Sequence, residues 1–130
     1  MLARGTFDVK ASPLPVSDLV SGLPFGRRSI DKQFRGDLEG TSKGEMLSAG
    51  TPTQGSAGYV AIEHVTGTLA GRSGSFTLQH NGTMNRGVGQ LQIVVVPDSG
   101  TGELAGLTGT MTIIVAGGQH AYEFEYSISD

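Results

Sequence analysis

In the stretch GSFTLQHNGTM, residues 74–84, Phe76, Leu78 and His80 occupy alternate positions. A β-strand sends alternate side chains to one face, so an imidazole stands where a third apolar group is expected. Imidazole titrates near neutrality and can take up or release a proton in that range. Its natural counterpart is a carboxylate, and Glu63 lies within the comparable run GYVAIEHVTG, residues 58–67. Other chemistries find little footing. The chain has no cysteine, which excludes thiolate nucleophiles and thiolate metal sites. Its histidines, His64, His80 and His120, do not fall at metal-ligand spacing. Serine-nucleophile, phosphate-loop and dinucleotide signatures are absent, and neither metal nor cofactor is expected.

Strands must carry this pair. Gly makes up 21 of the 130 residues, about twice the usual share, and is spread along the whole chain. Between the glycines run short alternating segments of β-branched and aromatic residues, at roughly 3–10, 28–39, 44–53, 58–69, 74–84, 88–97, 107–116 and 119–129. No long segment has helical spacing. The stretch 11–26, ASPLPVSDLVSGLPFG, contains three prolines and reads as a long loop with one helical turn near Ser17–Ser21, placed to act as a lid. Residues 66–79, TGTLAGRSGSFTLQ, align with 101–114, TGELAGLTGTMTII, and 38–44 is a looser copy. The shared Leu-x-Gly-x-x-Gly reads as a repeated hairpin connection, which can coil a sheet until it closes and loses its edges. One all-β domain over residues 1–130 follows, a small closed antiparallel eight-stranded barrel with a central cavity.

Turn positions assign the faces, because paired residues across a two-residue turn sum to a constant. A turn at Asn85-Arg86 sets Phe76, Leu78 and His80 opposite Val95, Ile93 and Leu91. A turn at Gly117-Gly118 sets Met111, Ile113 and Val115 opposite Phe124, Tyr122 and His120. A turn at Arg72-Ser73 places Glu63 opposite Gly82, diagonal to His80 and facing inward, with His64 outside. The inner face then holds Phe76, Leu78, Leu91, Met111, Tyr122, Phe124 and Tyr126 as the expected ligand-contacting set. In the repeat, His80 superposes on Val115. On the outer face Val94, Val96 and Ile114 are apolar exceptions, which suggests a contact between subunits and a homo-oligomer.

Net charge is −3 and uneven. Arg27, Arg28, Lys32 and Arg35 crowd one segment, while residues 87–130 contain no Lys or Arg. The cationic segment reads most simply as the solvated face of a strand and otherwise as an anion-binding patch. The chain as a whole is acidic, which argues against nucleic acid as a partner. The longest apolar run, Ile93 to Val96, is too short for a helical membrane span, and MLARGTFDVK carries no apolar signal core. A cytoplasmic location without membrane association is the expectation.

The stretches GDLEGTSKGEML, GSAGYVAIE, GRSGSFTLQHNGTM and VVPDSGTGELAGLTGTM resemble a bacterial family of unknown function. That family is similar to the allene-oxide-cyclase-like barrels, which include plant dirigent proteins, and the segment at 100–106 is similar to a glycine motif of those relatives. The resemblance implies an eight-stranded barrel with a cavity that shapes a small molecule. It carries over no catalytic residue.

Two functions fit these residues. In one, a small, mainly apolar molecule enters the barrel and His80 and Glu63 move a proton in an isomerase-, cyclase- or lyase-type step. Arg27 or Arg28 would then meet an anionic group at the rim. In the other, the barrel binds its ligand without chemistry. A third, bland reading makes Glu63–His80 a buried hydrogen-bonded pair that fixes strand register.

Overall fold

The computed structural model describes residues 1–129. Eight strands follow one another: β1 Leu2–Leu14, β2 Phe25–Gly36, β3 Leu38–Gly50, β4 Ala57–Leu69, β5 Arg72–Asn85, β6 Val88–Val95, β7 Leu107–Ala116 and β8 Gln119–Ile128. Each pairs antiparallel with the next, and β8 returns to β1, so the sheet closes into a barrel. Helical structure among the described residues is confined to two short 3₁₀ turns, Asp18–Val20 and Gly102–Leu104. The first falls where one helical turn is expected.

Alternation decides the inside. Phe34 and Leu38, Val65 and Leu69, Phe76 and Leu78, and Phe124 and Tyr122 all point into the lower half and are fully or almost fully buried. They form one apolar cluster, in which Phe76 stacks on Phe124 at 5.8 Å and Phe124 on Tyr126 at 5.5 Å. Leu104, on the second 3₁₀ turn, belongs to the same cluster and packs with it. The Tyr122 hydroxyl meets its polar need by donating to carbonyls of Arg35 and Leu38 and accepting from Leu38 N–H.

The repeated glycine motif has two structural uses. At Ala70-Gly71 both residues have positive φ, the backbone of a tight hairpin turn between β4 and β5. Gly40, Gly67 and Gly74 instead form a row across β3, β4 and β5, paired side by side. A Cβ on Gly67 would lie 2.1 Å from the Glu39 carbonyl, so the strands cross too closely for any side chain. The segment 38–44, expected to be a connection, therefore lies inside β3, because its glycines serve close approach and not a turn. In the other copy, residues 102–104 make a 3₁₀ turn, not a strand end.

The long loop is shorter than expected. β1 continues to Leu14, paired with Arg27, and leaves residues 15–24 as the connection. Pro13 is tolerated within β1 because β1–β8 pairing ends at Phe7, so this part of the strand has a neighbour on one side only. The wall is thinnest between β6 and β7, which share two register pairs, Ile93–Met111 and Val94–Thr110. Val94 and Val96 are half-buried there, while Ile114 is exposed.

Candidate functional site

The expected inward pair exists. Glu63 pairs with Leu78 and Ala61 with His80, so Glu63 is diagonal to His80 on the inner face. The imidazole Nε2 lies 2.6 Å from the Glu63 carboxylate. Glu63 is 0% exposed and His80 3% exposed. The glycine that makes room for Glu63 is Gly44, not Gly82: a Cβ on Gly44 would come within 2.9 Å of the Glu63 Cβ. Gly82 makes room for Tyr59, whose ring would lie 2.5 Å from a Cβ there.

Two further residues hold the carboxylate. Lys32 donates to Glu63 Oε1 at 2.9 Å, and the Ser42 hydroxyl donates to Oε2 at 2.6 Å. Lys32 is 5% exposed and sits 4.8 Å from the centre of the Phe7 ring, so it is no part of a solvated strand face. The reading of residues 27–35 as a surface cationic stretch fails at this position. Register parity puts Lys32 between Ile30 and Phe34 on the inner face. Arg27 lies outside, bonded to Glu45 at 2.7 Å, and only Arg28 takes the inner side of the rim.

Burial alone would raise the Glu63 carboxyl above its usual range. The His80 hydrogen bond, the Lys32 charge and the Ser42 hydroxyl outweigh it and hold the group at about 2. An ionised Glu63 accepts, so His80 Nε2 carries the hydrogen. The other ring nitrogen, Nδ1, lies 3.2 Å from the Tyr59 hydroxyl. Burial, followed by the Glu63 charge, raises the Tyr59 pKa and keeps the phenol protonated. The result is a buried line Tyr59–His80–Glu63–Lys32, neutral overall when the imidazole is neutral, with every buried polar side-chain atom among the described residues bonded.

One cavity opens above this line. It holds about 470 Å³ and is lined by Met46, Ser48, Tyr59, Gly82, Met84 and Leu91 among others, which register parity assigns to the inner face. Tyr59 alone of the polar line reaches it. Two other grooves, of about 440 and 740 Å³, run along the outer wall by Phe25, Leu47, Val60 and Ile62. His80 borders the larger of these by its main chain, since its ring points inward.

Of the expected ligand-contacting residues, Leu91 lines the inner cavity and is 47% exposed. Phe76, Leu78, Met111, Tyr122, Phe124 and Tyr126 are packed in the core below it. The hollow thus occupies the mouth and not the whole barrel axis, because large aromatics fill the lower half. Val20, in the loop expected to be a lid, faces the outer groove beside Phe25 and Leu47. Val115, the repeat counterpart of His80, is 64% exposed near the mouth, so the two positions share a face but not a depth. His64 lies outside, bonded to Thr77, and the His120 ring lies tilted against Phe7. Among the described residues no three His, Asp or Glu side chains converge as a metal site would require.

Sequence reasoning missed Lys32, Ser42 and Tyr59. A signal for Lys32 was present: Ile30-x-Lys32-x-Phe34 breaks an apolar alternation as Phe76-x-Leu78-x-His80 does.

Residues 3–126 match the family model described as "Protein of unknown function (DUF3224)". The chain is also similar to a solved crystal structure from Shewanella oneidensis MR-1, a protein with unknown function from the DUF3224 family. Identity is 52%, the TM-score is 0.93, and the alignment covers 100% of this chain and 98% of that one. No curated protein matches.

Proposed function

The chain belongs to the DUF3224 family of unknown function, and from that premise we propose that it binds a small, mainly apolar molecule in the inner mouth of the barrel. The observation that carries this reading is the juxtaposition of a mainly apolar cavity of about 470 Å³ with a small polar set on its inner face, Ser48 and Tyr59, the tyrosine backed by a fully bonded buried network. Binding sites of this kind combine apolar walls with few, well-placed polar groups. His80 and Glu63 do not touch the ligand. They act behind Tyr59: His80 can accept its proton, and Glu63 would stabilise the imidazolium. Isomerase-, cyclase- or lyase-type proton transfer is the chemistry this arrangement suits.

Complete satisfaction of Glu63 favours a second reading, in which the network only fixes barrel register and the mouth binds without turnover. Both readings require the cavity. Substituting Leu91→Trp fills it from a half-exposed position without disturbing the core. An apolar fluorescent dye that binds the parent should bind this variant at least about tenfold more weakly, with the melting temperature unchanged. Equal binding to both would remove the mouth as the site.

A further inference from the structure

The direction of each hydrogen bond along the buried line defines what Tyr59 can offer to the cavity, which the Ser48 side chain also lines. Lys32 can only donate, and it donates to Glu63 Oε1. His80 Nε2, 2.6 Å from the same oxygen, must also donate. In the neutral imidazole this leaves Nδ1 as an acceptor, and among the described residues the one group on it is the Tyr59 hydroxyl at 3.2 Å. With the imidazole neutral, Tyr59 therefore commits its hydrogen inward. What it presents to the cavity is an oxygen lone pair, an acceptor with no hydrogen left to give. The ring is fixed in this pose by Gly82, where a Cβ would overlap it.

We infer that Tyr59 is the residue that selects the ligand, and that the ligand is an uncharged, mainly apolar molecule bearing a hydroxyl that donates to the Tyr59 oxygen. This rests on the mouth being the binding site. A ketone or ether of the same shape offers only acceptors and would face the Tyr59 lone pairs unpaired. The same chain conducts a proton with nothing else consumed. The ligand O–H proton passes to the Tyr59 oxygen as the Tyr59 proton passes to His80 Nδ1. The product is a ligand oxyanion hydrogen-bonded to Tyr59 and an imidazolium bonded to Glu63.

The test compares naphthol with its methyl ether, which differ in the donor but share the apolar body. Fluorescence titration of the parent at neutral pH should show naphthol binding roughly five- to tenfold more tightly than the ether. Tyr59→Phe retains the ring over Gly82, and it should reduce naphthol to the level of the ether while leaving ether binding unchanged. Unchanged ether affinity also shows that the variant is folded. Three results overturn the inference: the ether binding the parent as tightly as naphthol does, Tyr59→Phe weakening both probes alike, or Tyr59→Phe weakening neither. In each of these the chain still binds the apolar body, and the Leu91→Trp variant tells whether it does so at the mouth. Failure of both probes to bind the parent overturns the mouth as the site and the inference with it.

Discussion

Glu63 is the residue on which the interior depends, and acid should reveal it. Its carboxyl titrates at about 2 when folded against an ordinary value near 4.5. A depressed acid contributes stability above its unfolded pKa and loses it as pH falls through the folded one. Roughly 3 kcal/mol should therefore disappear between about pH 4.5 and 2, measured by urea unfolding at each pH. The Glu63→Gln variant should show a flatter acid limb over the same window. At neutral pH that substitution leaves the Lys32 ammonium buried without a counter-charge, at a cost of about 3–5 kcal/mol. Adding Lys32→Met should recover more than half of the loss, since the Gln side chain can still accept from His80. If the double variant is no more stable than the single, Lys32 and Glu63 are not coupled as described. Two of the five residues of this cluster, Glu63 and His80, were legible in the sequence. Glu63 and His80 stand out because each interrupts an apolar alternation flanked by a turn. Lys32 does so too, but it sits among three arginines, two of them on the outer face, Arg27 and Arg35, and no short turn follows Leu14 to fix which face it takes.

At the scale of strands, faces were easier to read than register. The β4–β5 turn is Ala70-Gly71, two residues before the expected Arg72-Ser73, and the β5–β6 turn is Arg86-Gly87, one residue after Asn85-Arg86. Both misplacements leave the inner and outer sets intact. A two-residue turn pairs positions whose sum is odd wherever the turn falls, so displacing it slides the register by an even number of residues. Only a change of turn length would exchange the faces. The β7–β8 turn at Gly117-Gly118 is where the sequence places it. Glycines were harder, since the same residue serves both positive φ and close approach. The structure separates these uses, and so would substitution. Gly71→Ala meets no atom within 4 Å and should cost only the left-handed backbone, roughly 1 kcal/mol. Gly67→Ala puts a methyl against the Glu39 carbonyl and should cost about 2–3 kcal/mol by thermal unfolding. Equal losses would contradict the close crossing of β3 and β4.

For the whole molecule, closure is complete in topology but uneven in strength. The lower half is packed with aromatic rings, the middle is sealed by the charged line, and the mouth is open. Beyond the two pairs of the β6–β7 seam, among the described residues, 88–92 pair only with β5 and 112–116 only with β8. Amides of these two segments should exchange with solvent before those of β3, β4 and the lower part of β5. Uniform protection around the barrel would show that the seam is no weaker than the rest. The sequence could not reveal where the hollow ends, because that depends on how large side chains from opposite strands meet across the barrel. Outer grooves of about 440 and 740 Å³ compete with the mouth as binding surfaces, so binding in the mouth means that a ligand uses the inner side of the wall. Amide chemical-shift mapping with a small apolar probe decides it directly. Binding in the mouth should concentrate the shifts at Met46, Met84 and Leu91, which neither outer groove shares, with Tyr59→Phe altering the pattern. Shifts confined to Phe25, Leu47, Val60 and Ile62, with Met46, Met84 and Leu91 unmoved, would contradict binding in the mouth.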